Sequence, residues 1–117
     1  MDSATIARLR VILGRTLNLI DRLDDNMCLS SFWATPEELQ RILTWMRSAV
    51  RWADEIGSEE QQKRANRLAH HLTVRVRGFR APKFRPSEFD FLMAEIPAVL
   101  TILDRESGVE ESDLPVW

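Results

Sequence analysis

Apolar residues return at steps of three and four in four separate stretches of this chain, and that period commits it to amphipathic α-helices packed on one another. In the first stretch, Ser3 to Asp24, one side is lined by Ile6, Leu9, Leu13, Leu17, Ile20 and Leu23. Ser3 reads as the N-cap. Arg8, Arg15 and Arg22, seven apart, stack along the opposite side of the helix and are expected to stay in water. The segment from Asp25 to Ala34 breaks the period and reads as a connection whose Phe32 and Trp33 tuck under a neighbouring element.

The second helix carries its own start signal. The Thr35 hydroxyl can accept the amide hydrogen of Glu38, the Glu38 carboxylate can reach back, and Pro36 takes the first helical position, where it forfeits no hydrogen bond. Leu39, Ile42, Leu43, Met46, Val50 and Ala53 form the inner face, and Gly57 is expected to close the helix in the left-handed conformation. Ser58, with Gln61 three residues on, starts a third helix at once. Its inner side is thin, made of Ala65, Leu68, Ala69, Leu72 and Val76, and Gly78 ends it. The alternation in residues 73–77 (TVRVR) would also suit a strand, but a lone strand has nothing to pair with apart from a hairpin with the residues that follow.

Two prolines between Phe79 and Pro86 exclude continuous regular structure there, so this piece reads as a loop. Ser87 opens a fourth helix with Phe89, Leu92, Met93, Ile96, Leu100 and Leu103 inside; because the period passes Pro97 without a change of phase, a kink is expected there and not a break. The fold class expected is therefore all-α, a single-domain bundle of four main helices over residues 1–108 with the last helix kinked at Pro97, followed by an acidic C-terminal tail, 109–117.

No apolar run approaches the length that crosses a bilayer, and the N-terminus lacks the charged-then-apolar order of a secretion signal, so the chain is expected to avoid membranes and to work in the cytoplasm. Its single cysteine, Cys28, cannot close an internal disulfide and reads as a small buried apolar group. His70 and His71 are adjacent, so on a helix they point about 100° apart, whereas a helical ligand pair wants a spacing of three or four. The acid pairs Asp24 with Asp25, Asp54 with Glu55 and Glu110 with Glu111 fall at helix ends or in the tail and read as solvation. With no glycine-rich phosphate cradle and no nucleophile–base spacing, the expectation is no catalytic residue, no metal, no cofactor and no enzymatic activity.

Charge is where the sequence speaks for function. From Gln61 to Ser87 stand eight Lys or Arg and no acid, a segment of +8 in a chain of net −2, which leaves the remainder at −10. Helical spacing sorts this segment into a ridge, Arg64, Arg67, His71 and Arg75, and a helix end and loop with Arg77, Arg80, Lys83 and Arg85. Three uses are compatible with it: an acidic protein partner, a phosphate backbone with Phe79 and Phe84 stacking bases, or pairing with the chain's own acids. The acidic remainder argues against a long polyanion, so a protein partner ranks above nucleic acid. Trp45 and Trp52, seven apart on the second helix, read either as core or as an interface anchor beside Arg41. The wide apolar arc of that helix would also serve a symmetric homodimer.

A small acidic helical chain of this kind, with charged and aromatic faces and no catalytic motif, resembles in size and style the inhibitors encoded by phages and mobile elements, including the all-helical anti-CRISPR proteins. The resemblance implies a protein that blocks a nuclease, helicase or nucleic-acid site of a bacterial defence complex, with Glu106, Glu110, Glu111 and Asp113 mimicking phosphates or the arginine ridge gripping an acidic patch. The sequence-based expectation is thus a small non-enzymatic protein-binding module, an inhibitor or adaptor acting by occlusion, with a nucleic-acid-binding accessory protein using residues 63–85 as the alternative.

Overall fold

Of the 117 residues, the structure, a computed structural model, describes 2–27, 35–78 and 87–105, with the side chains of all of these except 26, 27, 76–78 and 87–89. It contains four helices and, among the described residues, no strand: α1 (Ser3–Met27), α2 (Pro36–Ile56), α3 (Glu59–Gly78) and α4 (Ser87–Asp104). Residues 73–77 are helical, so the strand alternative is not taken up. Cys28, Phe32, Trp33, the loop 79–86 and the tail 109–117 lie outside the described residues.

The starts of α1, α2 and α3 are built from side chains close in sequence. Asp2, one residue ahead of the expected Ser3, caps α1: its Oδ1 accepts the Thr5 backbone N–H at 2.7 Å, and that bond holds the Asp2 carboxyl below its ordinary value. Asp fits because its oxygen reaches the first-turn amides from a non-helical residue. At α2, the Glu38 N–H donates to Thr35 Oγ1 at 3.2 Å, while Glu38 Oε1 accepts the Thr35 N–H at 3.4 Å. Ser58 and Gln61 repeat this reciprocal pair at α3, with bonds of 3.2 and 3.1 Å.

Gly57 does not turn left-handed. It is extended, with φ −73° and ψ 154°, and Ser58 alone separates it from the first residue of α3. Glycine is required there for space: a Cβ would lie 2.6 Å from the Ala53 carbonyl oxygen and 2.9 Å from its Cα. The exposed carbonyls at this corner are met from two sides. Arg10 Nε of α1 donates to Ile56 O at 2.6 Å, bringing a cation to the C-terminal end of α2, and Gln61 Nε2 donates to Arg10 O at 2.9 Å.

Helices α1 and α2 touch each other, and both touch α3 and α4, which leaves α3 and α4 on opposite sides of a central pair. The core therefore runs between α1 and α2: Leu9, Leu13, Leu17, Ile20 and Leu23 from the first and Ile42, Met46, Ala49 and Ala53 from the second are essentially sealed. Leu68 and Leu72 close it on one flank, and Leu92, Ile96, Val99 and Leu103 on the other. Thr16 is fully buried, and its hydroxyl is satisfied by donating to Ile12 O at 2.9 Å. Pro97 lies inside one helix, unbroken. It has no N–H to return to the Met93 carbonyl, and the Pro97 carbonyl accepts the Thr101 hydroxyl at 2.9 Å.

Candidate functional site

The arginine ridge of α3 faces α1. Arg64 Nη2 lies 3.5 Å from Asp21 Oδ2; Arg75 Nε lies 2.8 Å from Asp24 Oδ1; and His71 Nδ1 lies 3.6 Å from Asp24 Oδ2. Asp24 is nearly buried, its side chain 8% exposed, so Arg75 gives it a counter-charge it could not obtain from water. The Arg75 contact is close but off the N–H direction, so Oδ1 has a charge partner without an aligned hydrogen bond. Of the four ridge residues, Arg67 alone turns outward. It has no hydrogen-bond or ion-pair partner among the described residues. By helical geometry it shares the solvent side with Lys63, His70 and Val74, and there Lys63 Nζ is 3.2 Å from Glu59.

The ridge is thus three parts internal pairing and one part open surface. Arg77 lies in α3 with its side chain undescribed, and Arg80, Lys83 and Arg85 lie outside the described residues. His70 and His71 diverge, with ring centroids 6.3 Å apart and planes at 56°. Among the described residues, no group of three His, Cys, Asp or Glu could hold a metal ion.

Both helix-two tryptophans belong to the core. Trp45 is 8% and Trp52 3% exposed. Trp52 Nε1 donates to Asp104 Oδ1 at 3.0 Å, the same oxygen that takes Arg51 Nη2 at 2.9 Å, so its polar edge is spent on tying α2 to the end of α4. Burial is centred on this tryptophan side and leaves Leu39 half-exposed, and Leu43 and Val50 half-exposed along an α2–α3 groove.

The surface that stands out lies elsewhere, between α1 and α4. A cleft of about 350 Å³ is lined by Arg15, Asn18, Leu19, Arg22, Phe91 and Glu95. Phe91 is 50% exposed, an uncommon position for a phenyl ring on a small helical domain. Arg15 and Arg22 are seven residues apart, hence about 10 Å along one line of α1, and both line the same cleft as the ring. Arg15 is engaged within the molecule; Arg22 has no partner among the described residues. Glu95 is half-buried, and its Oε2 is sealed from water with no hydrogen bond. The signal for this site was present in the Arg8, Arg15, Arg22 line. What hid it was α4: the spacing drew attention to Phe89 as an inner residue and gave no reason to look at Phe91.

Neither a family model nor a curated protein nor a solved structure matches this chain. No described helix is long and apolar enough to cross a membrane.

Proposed function

We propose that this chain is a small non-enzymatic protein-binding module, an inhibitor or adaptor that acts by covering a partner's surface, and that the cleft between α1 and α4 is its contact. The observation that carries this is Phe91, half-exposed in a cleft that Arg15 and Arg22 also line. Aromatic rings, phenylalanine among them, and arginines are enriched at the cores of protein interfaces, arginine also among the residues that dominate binding energy, and this ring is left half outside the bundle.

The nucleic-acid alternative needs an unbroken track of available cations. Instead, Arg64, His71 and Arg75 face acids of α1, while the arginines without a partner among the described residues, Arg22, Arg41, Arg47 and Arg67, are spread over three helices. That distribution supports a protein partner. The likeness in size and style to phage-encoded inhibitors gives the reading its specific form, occlusion of a nuclease or helicase surface of a defence complex. We place the encounter in the cytoplasm, where a chain with one cysteine needs no oxidising compartment.

The test is crosslinked capture from native host extract with the wild-type chain, Phe91→Ala, Arg22→Glu and a control, Lys63→Ala. The expected result is a protein retained by wild type and the control and lost from both cleft variants at unchanged melting temperature. Retention of the same proteins by all four chains, or of nucleic acid in place of protein, would overturn the reading.

A further inference from the structure

Resting on that reading, we infer that the α1–α4 cleft takes an acidic, tyrosine-bearing segment of its protein partner: the phenol ring against Phe91, its hydroxyl donating to Glu95, and a neighbouring carboxylate on Arg22. The argument is one of complementary deficits. Phe91 offers half of its surface and asks for apolar cover, and Leu19 beneath it continues the apolar floor. Arg22 is exposed, has no partner among the described residues, and asks for an anion. Glu95 asks for the opposite. Its Oε2 is buried without a donor, and Oε1, which is not sealed and has no hydrogen bond among the described residues, is the oxygen that a donor entering the cleft can meet.

A ligand that meets all three must carry an apolar ring, a donor at the edge of that ring and a negative charge beside it. Phenylalanine lacks the donor. A phosphate chain supplies acceptors alone at its backbone and would bring negative charge against Glu95. Phosphotyrosine fails for the same reason: its acceptor oxygens would face a carboxylate that itself needs a hydrogen. Tyrosine with an adjacent Asp or Glu satisfies each group. This chain contains no tyrosine, so a second copy cannot supply the phenol, and the partner is a different protein.

The size of the cleft agrees. About 350 Å³ accommodates one aromatic side chain and part of an acidic neighbour. The positions of the other cations agree as well. Arg15 is already engaged within the molecule, so it shapes the wall and the ligand charge falls to Arg22.

The experiment titrates the full isotope-labelled chain with short blocked peptides of sequence Asp-Glu-Tyr-Leu-Glu, its phenylalanine counterpart and its phosphotyrosine counterpart, followed by amide chemical shifts. Saturable shifts centred on α1 and α4 are expected for the tyrosine peptide, with about tenfold weaker binding of the phenylalanine peptide, the size of one lost hydrogen bond to a charged group. Glu95→Leu should erase that tenfold preference, Glu95→Gln, which still accepts, should keep most of it, and Arg22→Glu should abolish binding. Equal affinity for tyrosine and phenylalanine, preference for phosphotyrosine, or no saturation at millimolar peptide overturns the inference. If capture of the host partner still depends on Phe91 in that event, the protein-binding reading survives and only the partner's chemistry is wrong. Phe91-dependent binding of a single-stranded oligonucleotide, or a dimer abolished by Phe91→Ala, overturns both.

Discussion

Trp52 and Arg51 share one oxygen of Asp104. The indole N–H and the guanidinium reach Oδ1 at 3.0 and 2.9 Å, and the Arg51 guanidinium carbon lies 5.4 Å from the Trp52 ring centroid. The carboxylate therefore closes the end of the bundle by holding a buried ring and a surface cation at once. The Arg51 pair is exposed and worth little by itself. The Trp52 bond is the consequential half, since the indole is 3% exposed and has no other described acceptor. Asp104→Ala should cost about 1 kcal/mol in urea denaturation, Arg51→Ala a few tenths at most, and Asp104→Ala in a Trp52→Phe background much less than alone.

The capping box of α2 should show in stability in the same way. Thr35→Ala removes the acceptor for the Glu38 N–H and frees the returning carboxylate, at a cost of about 1 kcal/mol. In a domain of this size that is a fall in melting temperature of roughly 4 °C. Thr35→Ser keeps the oxygen and should stay within about 0.5 kcal/mol of wild type. Scanning calorimetry of the two variants decides it, because equal losses would mean that the methyl group and not the hydroxyl matters.

What was legible in the sequence was what is settled within a few residues. The boxes at Thr35 and Ser58 are written in adjacent side chains, and the period of three and four passing through Pro97 was enough to read one helix. Features decided by distant packing were not. The side of α2 that is buried most deeply, through Ala49, Trp52 and Ile56, is set by where its three neighbouring helices press, and an apolar arc half a turn wide does not say which of its margins stays open. The α3 ridge looked like a recognition surface because the acids that face it, Asp21 and Asp24, lie more than 40 residues away on another helix. Phe91 was missed for the converse reason: exposure of a ring is a fact about the whole surface, and nothing local marks it.

Two glycines should respond in opposite directions to the same substitution. At Gly57 the φ of −73° suits any residue, yet a methyl group would press on the backbone of Ala53 at 2.6 Å and on Leu13 Cδ2 at 3.1 Å. Backbone cannot yield as a side chain does, so Gly57→Ala should destabilise by roughly 1 to 3 kcal/mol. At Gly14, inside α1, the nearest atom to an added Cβ is Gln61 Nε2 at 3.4 Å, an ordinary contact with the end of a flexible side chain. Gly14→Ala should stabilise by about 0.5 to 1 kcal/mol by removing a glycine from a helix interior. Denaturation midpoints of the two variants on either side of wild type are the expected outcome.

The arginine ridge supplies the sharpest separation of fold from function. Replacing Arg75 by Glu sets a carboxylate against Asp24, whose side chain is 8% exposed and loses its guanidinium partner. The loss should be about 3 kcal/mol, that of stranding a largely buried charge. Arg75→Glu combined with Asp24→Arg should recover part of it, because the pair is restored with its ends exchanged. Arg64→Glu faces Asp21 in a more open setting and should cost about 1 kcal/mol or less. Arg67→Glu touches no described partner and should leave stability within about 0.5 kcal/mol. A triple Glu variant at 64, 67 and 75 therefore loses partner binding for either of two reasons, and only Arg67→Glu alone, checked for an unchanged urea midpoint, reports whether the outward face of α3 contributes to recognition beside the cleft at Phe91.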